Sequence, residues 1–158
     1  MTEQPAQPRR PRPSVEHGPT AQAVAANVRR MRKRRSMSTY ELSAVLTKMG
    51  RPIAASAIAK LERGERQVNV DELMVLACAL RTPPSALLLP PDDSPDAVIE
   101  ITGVGTVSAD AAWDWVDGKR PLNASERFER PYSHERLEHT LYSRPPLRGE
   151  KEVGCVSS

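Results

Sequence analysis

Residues 38–64 read STYELSAVLTKMGRPIAASAIAKLERG, and this stretch decides the fold. Its first four residues, Ser38, Thr39, Tyr40 and Glu41, fit a capping box. The Ser38 hydroxyl takes the amide of Glu41 while the Glu41 carboxylate returns to the amide of Ser38, so a helix begins there. Leu42, Val45, Leu46 and Met49 then recur at helical spacing and form one apolar stripe. Gly50-Arg51-Pro52 ends that helix, because glycine tolerates a left-handed cap and proline cannot continue the hydrogen-bond ladder. A short helix follows over residues 54–63, with Ile58 and Leu61 facing inward and Gly64 closing it.

The same periodicity extends in both directions. Upstream, Val24, Val28 and Met31 mark a helix over residues 21–35, and every residue from Arg29 to Arg35 except Met31 is basic. Downstream, Asn69 is an amide cap, and Asp71 and Glu72 suit the positive end of the helix dipole. Leu73, Leu76, Ala77 and Leu80 give that fourth helix its buried face. Pro83-Pro84 opens a last turn or two carrying Ala86, Leu87 and Leu88, since first-turn amides need no intrahelical partner. Five helices on short links predict a compact all-α unit over residues 21–90. Met31, Met49 and Leu73 are expected in its core, and Cys78 is read as a small buried hydrophobe.

Taken together, Val28-Arg29-Arg30-Met31-Arg32, Ser38-x-x-Glu41-Leu42, Ser56-x-Ile58-x-Lys60-Leu61-Glu62-Arg63-Gly64 and Leu73-x-x-Leu76-Ala77-x-x-Leu80 give the segment 28–88 a family likeness. It resembles the lambda-repressor-like (XRE/Cro-type) helix-turn-helix family of transcriptional regulators. That resemblance implies that the third helix enters the major groove of double-stranded DNA while the start of the second meets the phosphate backbone. Ala55, Ser56, Ala59 and Lys60 match the groove-facing positions. Lys60 is the leading base-reading candidate, because a cation there can approach the O6 and N7 acceptors of guanine, and the two alanines can offer only apolar contacts. Ser38 and Thr39 match the phosphate-holding helix start, and Arg63, Arg66 and Gln67 follow the recognition helix as candidates for gripping the backbone. The family also implies a structural ion pair, here between Arg32 and Glu62. Ser36 and Arg81 stand where family members often carry a helix-ending glycine, and the link through Lys48 to Ile53 is longer than the shortest family form.

The flanks differ in composition. Residues 1–20 hold five prolines and the cluster Arg9, Arg10 and Arg12, and are expected to be a disordered basic arm. In residues 91–118, Val98 to Ile101 and then Gly103, Gly105 and Val107 read as a short strand or small β-hairpin. Ser108 then caps a brief helix showing Ala112, Trp113 and Val116 on one side, with Gly118 ending it. Trp113 is expected to pack and Trp115, two residues on, to lie partly exposed; together they are the candidate dimer or partner surface. Residues 119–158 are read as a mostly disordered, acidic, proline-rich tail, with residues 136–141 at most transiently helical.

Charge follows these boundaries. Residues 21–90 carry twelve Lys or Arg against five Asp or Glu, net +7, whereas residues 91–158 carry eight against thirteen, net −5. Positive potential on a small domain attracts polyanions, and no long apolar face accompanies it, which favours nucleic acid over a membrane. Cys78 and Cys155 form no CxxC pair, so neither a zinc site nor a disulfide framework is suggested. His134 and His139 are five apart rather than four, which splays them off one helix face and argues against a metalloprotease motif. With no glycine-rich phosphate loop and no nucleophile elbow, the expectation is no enzyme, no cofactor, no metal and a cytoplasmic setting. The expected function is a DNA-binding regulator, in its simplest form a repressor, acting as a homodimer on a two-fold operator. The rival reading is an antitoxin-like module whose C-terminal tail binds a partner protein.

Overall fold

The computed structural model describes residues 17–131 and 133–143. Five helices form the helical unit: α1 (Pro19–Arg34), α2 (Thr39–Lys48), α3 (Ala55–Glu62), α4 (Val70–Ala79) and α5 (Ser85–Leu88). Proline in the first turn starts α1 at Pro19, two residues before Ala21. Ser38 caps α2 and Asn69 caps α4, each in a complete capping box, with Glu41 and Glu72 as the returning carboxylates.

The four longer helices end alike. The amide after each terminus reaches back to a last-turn carbonyl: Met37 to Arg32 at 3.1 Å, Arg51 to Leu46 at 3.1 Å, Glu65 to Lys60 at 2.9 Å and Thr82 to Ala77 at 2.9 Å. Such closures place one residue in the left-handed region. At two of the four that residue is glycine, Gly50 and Gly64; at the other two it is Ser36 (φ 52°) and Arg81 (φ 46°).

The core lies between these helices. Val28, Leu42, Leu46, Ile58, Leu61, Leu76, Leu80 and Leu87 are fully buried, and Val24, Ile53 and Ala77 complete the cluster. Met31 and Leu73 pack against it half-buried. Two expectations are corrected. Met49 is 40% exposed, because it stands at the C-cap of α2, past the turn whose Leu42 and Leu46 fill the interface. Cys78 is also exposed, because it continues the solvent-facing line of Val70 and Met74 on α4 at four-residue spacing.

Beyond α5, β1 (Val98–Ile101) and β2 (Gly105–Ser108) pair antiparallel, with Val98 opposite Ser108 and Ile101 opposite Gly105. The hairpin docks on the start of α1 through reciprocal bonds: the Thr20 amide donates to Thr102 Oγ1 at 3.2 Å and the Thr102 amide to Thr20 Oγ1 at 3.0 Å. Gly18 is needed at that contact, since a Cβ there would come within 2.5 Å of Thr102 Oγ1. Helix α6 (Ala109–Val116) follows, and Trp113 Nε1 donates to the Pro90 carbonyl at 3.2 Å while Trp115 is 41% exposed. Ser108 stands at the N-cap of α6 without a side-chain cap bond, and its hydroxyl instead holds the Asp110 carboxyl below its ordinary range.

The stretch after Lys119 carries more packing than its composition suggests. Helix α7 (His134–Tyr142) is capped by Ser133 and extends past both ends of the segment 136–141. Phe128 is buried, edge-on to His139 at 5.4 Å between ring centroids. Ser125 also bonds Glu135 and His139 meets the Gly118 carbonyl, and one Phe amid charges and prolines leaves no periodic signal. The arm with Arg9, Arg10 and Arg12, and the segment 144–158 with Cys155, lie outside the described residues.

Candidate nucleic-acid interface

Helices α2 and α3 pack against each other, and the longer link between them is held at two points. Ile53 is buried in the core, and the Ser43 hydroxyl donates to the Ile53 carbonyl at 2.7 Å. These two contacts hold the link against the core and against α2. On α3, Ile58 and Leu61 are fully buried, while Ser56 and Lys60 are exposed and Ala55 and Ala59 half-buried. The four expected groove-facing residues thus share the outer surface of one helix. Lys60 makes no hydrogen bond or ion pair among the described residues, although its charge helps hold the nearby Glu65 carboxyl low.

At the start of α2, the capping box already uses two amides: Glu41 donates to Ser38 Oγ at 3.1 Å and Ser38 to Glu41 Oε2 at 2.7 Å. The Ser38 amide holds the Glu41 carboxyl below its ordinary range. Thr39 and Tyr40, in the first turn, keep the outward amides that a helix start leaves without an intrahelical partner. Tyr40 is 78% exposed beside them and is a residue the sequence reading did not single out.

Arg32 and Glu62 meet in a two-pronged pair, Nε to Oε1 at 2.6 Å and Nη2 to Oε2 at 2.7 Å, with little of either side chain exposed. Arg32 also donates to the Met37 carbonyl at 2.6 Å, so one guanidinium joins α1, the turn into α2 and the end of α3. The Glu62 hydrogen bond raises the Arg32 pKa above its ordinary value, against the cost of partial burial.

The three residues after α3 fare differently. Arg63 is exposed and paired in parallel with Glu65, Nε to Oε1 at 2.6 Å and Nη2 to Oε2 at 2.9 Å. Arg66 is committed to Glu72, the partly buried carboxylate of the α4 capping box, so its guanidinium ties the α3–α4 turn to α4. Gln67 is exposed. Asn27 was not singled out from the sequence. Buried on α1, it donates both amide hydrogens to α5, to the carbonyls of Leu87 at 3.1 Å and Leu89 at 2.8 Å. Its Oδ1 in turn accepts from Arg30 Nη2 at 3.0 Å.

A short helix, a pinned link and an exposed second helix closed by a buried Arg-Glu pair define a helix-turn-helix DNA-binding domain. In agreement, a helix-turn-helix family model matches residues 28–87, and over this segment the chain is similar to the lambda-repressor-like helix-turn-helix proteins. Neither the curated proteins nor the solved structures give a match to the chain. Among the described residues, no helix is long and apolar enough to cross a membrane.

Proposed function

We propose that the protein is a transcriptional regulator that reads double-stranded DNA with α3 and acts as a repressor by occluding a promoter, with no enzymatic step. The observation that carries this reading is the outer face of α3: Lys60 is exposed beside Ser56 and makes no hydrogen bond or ion pair among the described residues, on a helix whose inner face is locked by Ile58, Leu61 and the Arg32-Glu62 pair. A rigid helix presenting an unpaired cation suits the major groove, where guanine offers two acceptors side by side. Ala55 and Ala59 add apolar contact, for which a thymine methyl is the natural partner. The Thr39 and Tyr40 amides with the Ser38 side chain take one phosphate, and Arg63 and Gln67 take the backbone on the other side of α3. Arg66, engaged with Glu72, acts by holding that turn in place.

Two such domains on a two-fold operator need an association surface. The exposed Trp115, on the α6 face away from the Pro90 contact, is the proposed element of it. Sedimentation of the full chain with and without Trp115→Ala checks that assignment: the dimer is expected to dissociate in the variant, and an unchanged dimer would remove Trp115 from the interface.

The DNA reading is tested by mobility shift on duplexes selected from a random-site library, in rising salt. Lys60→Ala is expected to cost about 1–3 kcal/mol on the selected site and to relax selectivity at one base position, while Arg63→Ala weakens all duplexes alike. Loss of equal size on selected and random duplexes in Lys60→Ala would remove Lys60 from base reading. Selection of no site at all would turn the balance to the rival protein-binding reading.

A further inference from the structure

On the side of α1 that meets the end of α3, a groove of about 710 Å3 is lined by Arg29, Arg30, Lys33 and Arg63, with His17 and Gln22 at one end. Its one carboxylate, Glu62, is spent on Arg32. Arg29 and Lys33 are exposed and make no ion pair or hydrogen bond among the described residues. The other two cations are held in place. Asn27, itself fixed by the Leu87 and Leu89 carbonyls, takes Arg30 through Nε at 3.2 Å and Nη2 at 3.0 Å, and Glu65 takes Arg63 through Nε at 2.6 Å and Nη2 at 2.9 Å. His17 Nδ1 is buried beside them without a hydrogen-bond partner.

Arg29, Arg30 and Lys33 line one concavity with no carboxylate partner among the described residues, so they repel each other, and folding alone gives no reason to gather them. An anion with several oxygens relieves that repulsion and gains hydrogen bonds from guanidinium groups whose positions are already set. The groove also runs into Arg63 and Gly64, the residues that close α3, so it is continuous with the element assigned to the DNA.

We propose that this groove is a phosphate-binding site, and that the phosphates it holds are those of the DNA backbone flanking the stretch read by α3. The proposal rests on the DNA-binding reading above and adds to it a second backbone contact, made by α1. Asn27 is its positioning residue, acting through Arg30.

The test compares the full-length protein with an Arg29→Gln/Lys33→Gln double variant, chosen because both side chains are exposed and unpaired, so that folding is not at stake. On the duplex selected by the wild type, the double variant is expected to bind about tenfold more weakly, with selectivity over random duplex unchanged. The slope of log affinity against log salt should flatten by about 0.9 for each phosphate that the variant no longer neutralises. Phosphate ethylation should interfere with wild-type binding at positions flanking the α3 site and cease to interfere there in the variant. A double variant with the wild-type slope and the wild-type interference pattern overturns the proposal. Should the wild type select no duplex, the DNA reading fails by itself, and calorimetric titration with inorganic pyrophosphate then decides the groove. Pyrophosphate binding by the wild type that the double variant lacks keeps a phosphate site supplied by a free ligand, and no binding by the wild type overturns it.

Discussion

At the residue scale, the structure separates backbone conformation from side-chain chemistry at the helix ends. Ser36 and Arg81 occupy left-handed positions that Gly50 and Gly64 fill elsewhere in the same domain. A residue with a Cβ is strained there, so Ser36→Gly and Arg81→Gly are each expected to stabilise the domain by about 0.5–1 kcal/mol, raising the thermal midpoint by a few degrees. Gly64→Ala should do the reverse even though nothing lies within 4 Å of an added Cβ, since the cost is in the backbone alone. Thermal unfolding followed by ellipticity checks all three, and a fall in stability in Ser36→Gly would show that the serine side chain matters more than the strain. Asn27 works by chemistry instead: Asn27→Ala leaves two carbonyls of the α5 region without their donors, which should cost about 1–3 kcal/mol. The Ser36 and Arg81 positions stood out only through the resemblance to a family that often carries glycine there, because neither residue type itself marks a left-handed position. Asn27 could not be read from sequence, because its partners lie 60 and 62 residues away and an Asn within a helix carries no mark of them.

At the scale of elements, the start signals gave the most reliable reading. The capping box at Ser38 and the amide cap at Asn69 both stand where the sequence puts them, since cap and carboxylate are only three residues apart. Which face each helix turns to the core was harder: Met49 stands just past the last buried turn of α2, where an apolar side chain looks the same in sequence as one within it, and Cys78 falls on the solvent-facing line of α4 between the buried Ala77 and Leu80. The capping box of α2 carries a pH dependence with a definite sign. Its amide and hydroxyl hold the Glu41 carboxyl below the ordinary range, so the contribution is complete above the unfolded-state pKa and is lost as pH falls through the lower folded value. Urea midpoints measured from about pH 7 down to about pH 3 should fall less steeply in Glu41→Gln than in the wild type. Parallel curves would mean that Glu41 titrates alike in the folded and unfolded chains.

At the scale of the whole molecule, the chain divides energetically as it does in composition. Every member of the main core cluster lies between Val24 and Leu87, so the helix-turn-helix domain closes its core without help from the hairpin or the later helices. Ala109, Ala112 and Phe128 are buried too, but outside that cluster. What joins the hairpin and α6 to the domain includes the Thr20-Thr102 pair and the Trp113-Pro90 bond. Polar contacts of this number are worth only about 0.5–1.5 kcal/mol each, less than the burial that holds the helices. The appended unit should therefore open first. Both tryptophans of the chain lie in α6, so their fluorescence reports this unit alone, while ellipticity is dominated by the five-helix domain. In a urea titration the fluorescence midpoint is expected below the ellipticity midpoint, and Thr102→Val should lower the former while leaving the latter in place. Coincident midpoints in the wild type would instead make domain and appendage one cooperative unit. A cut after residue 92 would then unfold the DNA-binding domain rather than release it.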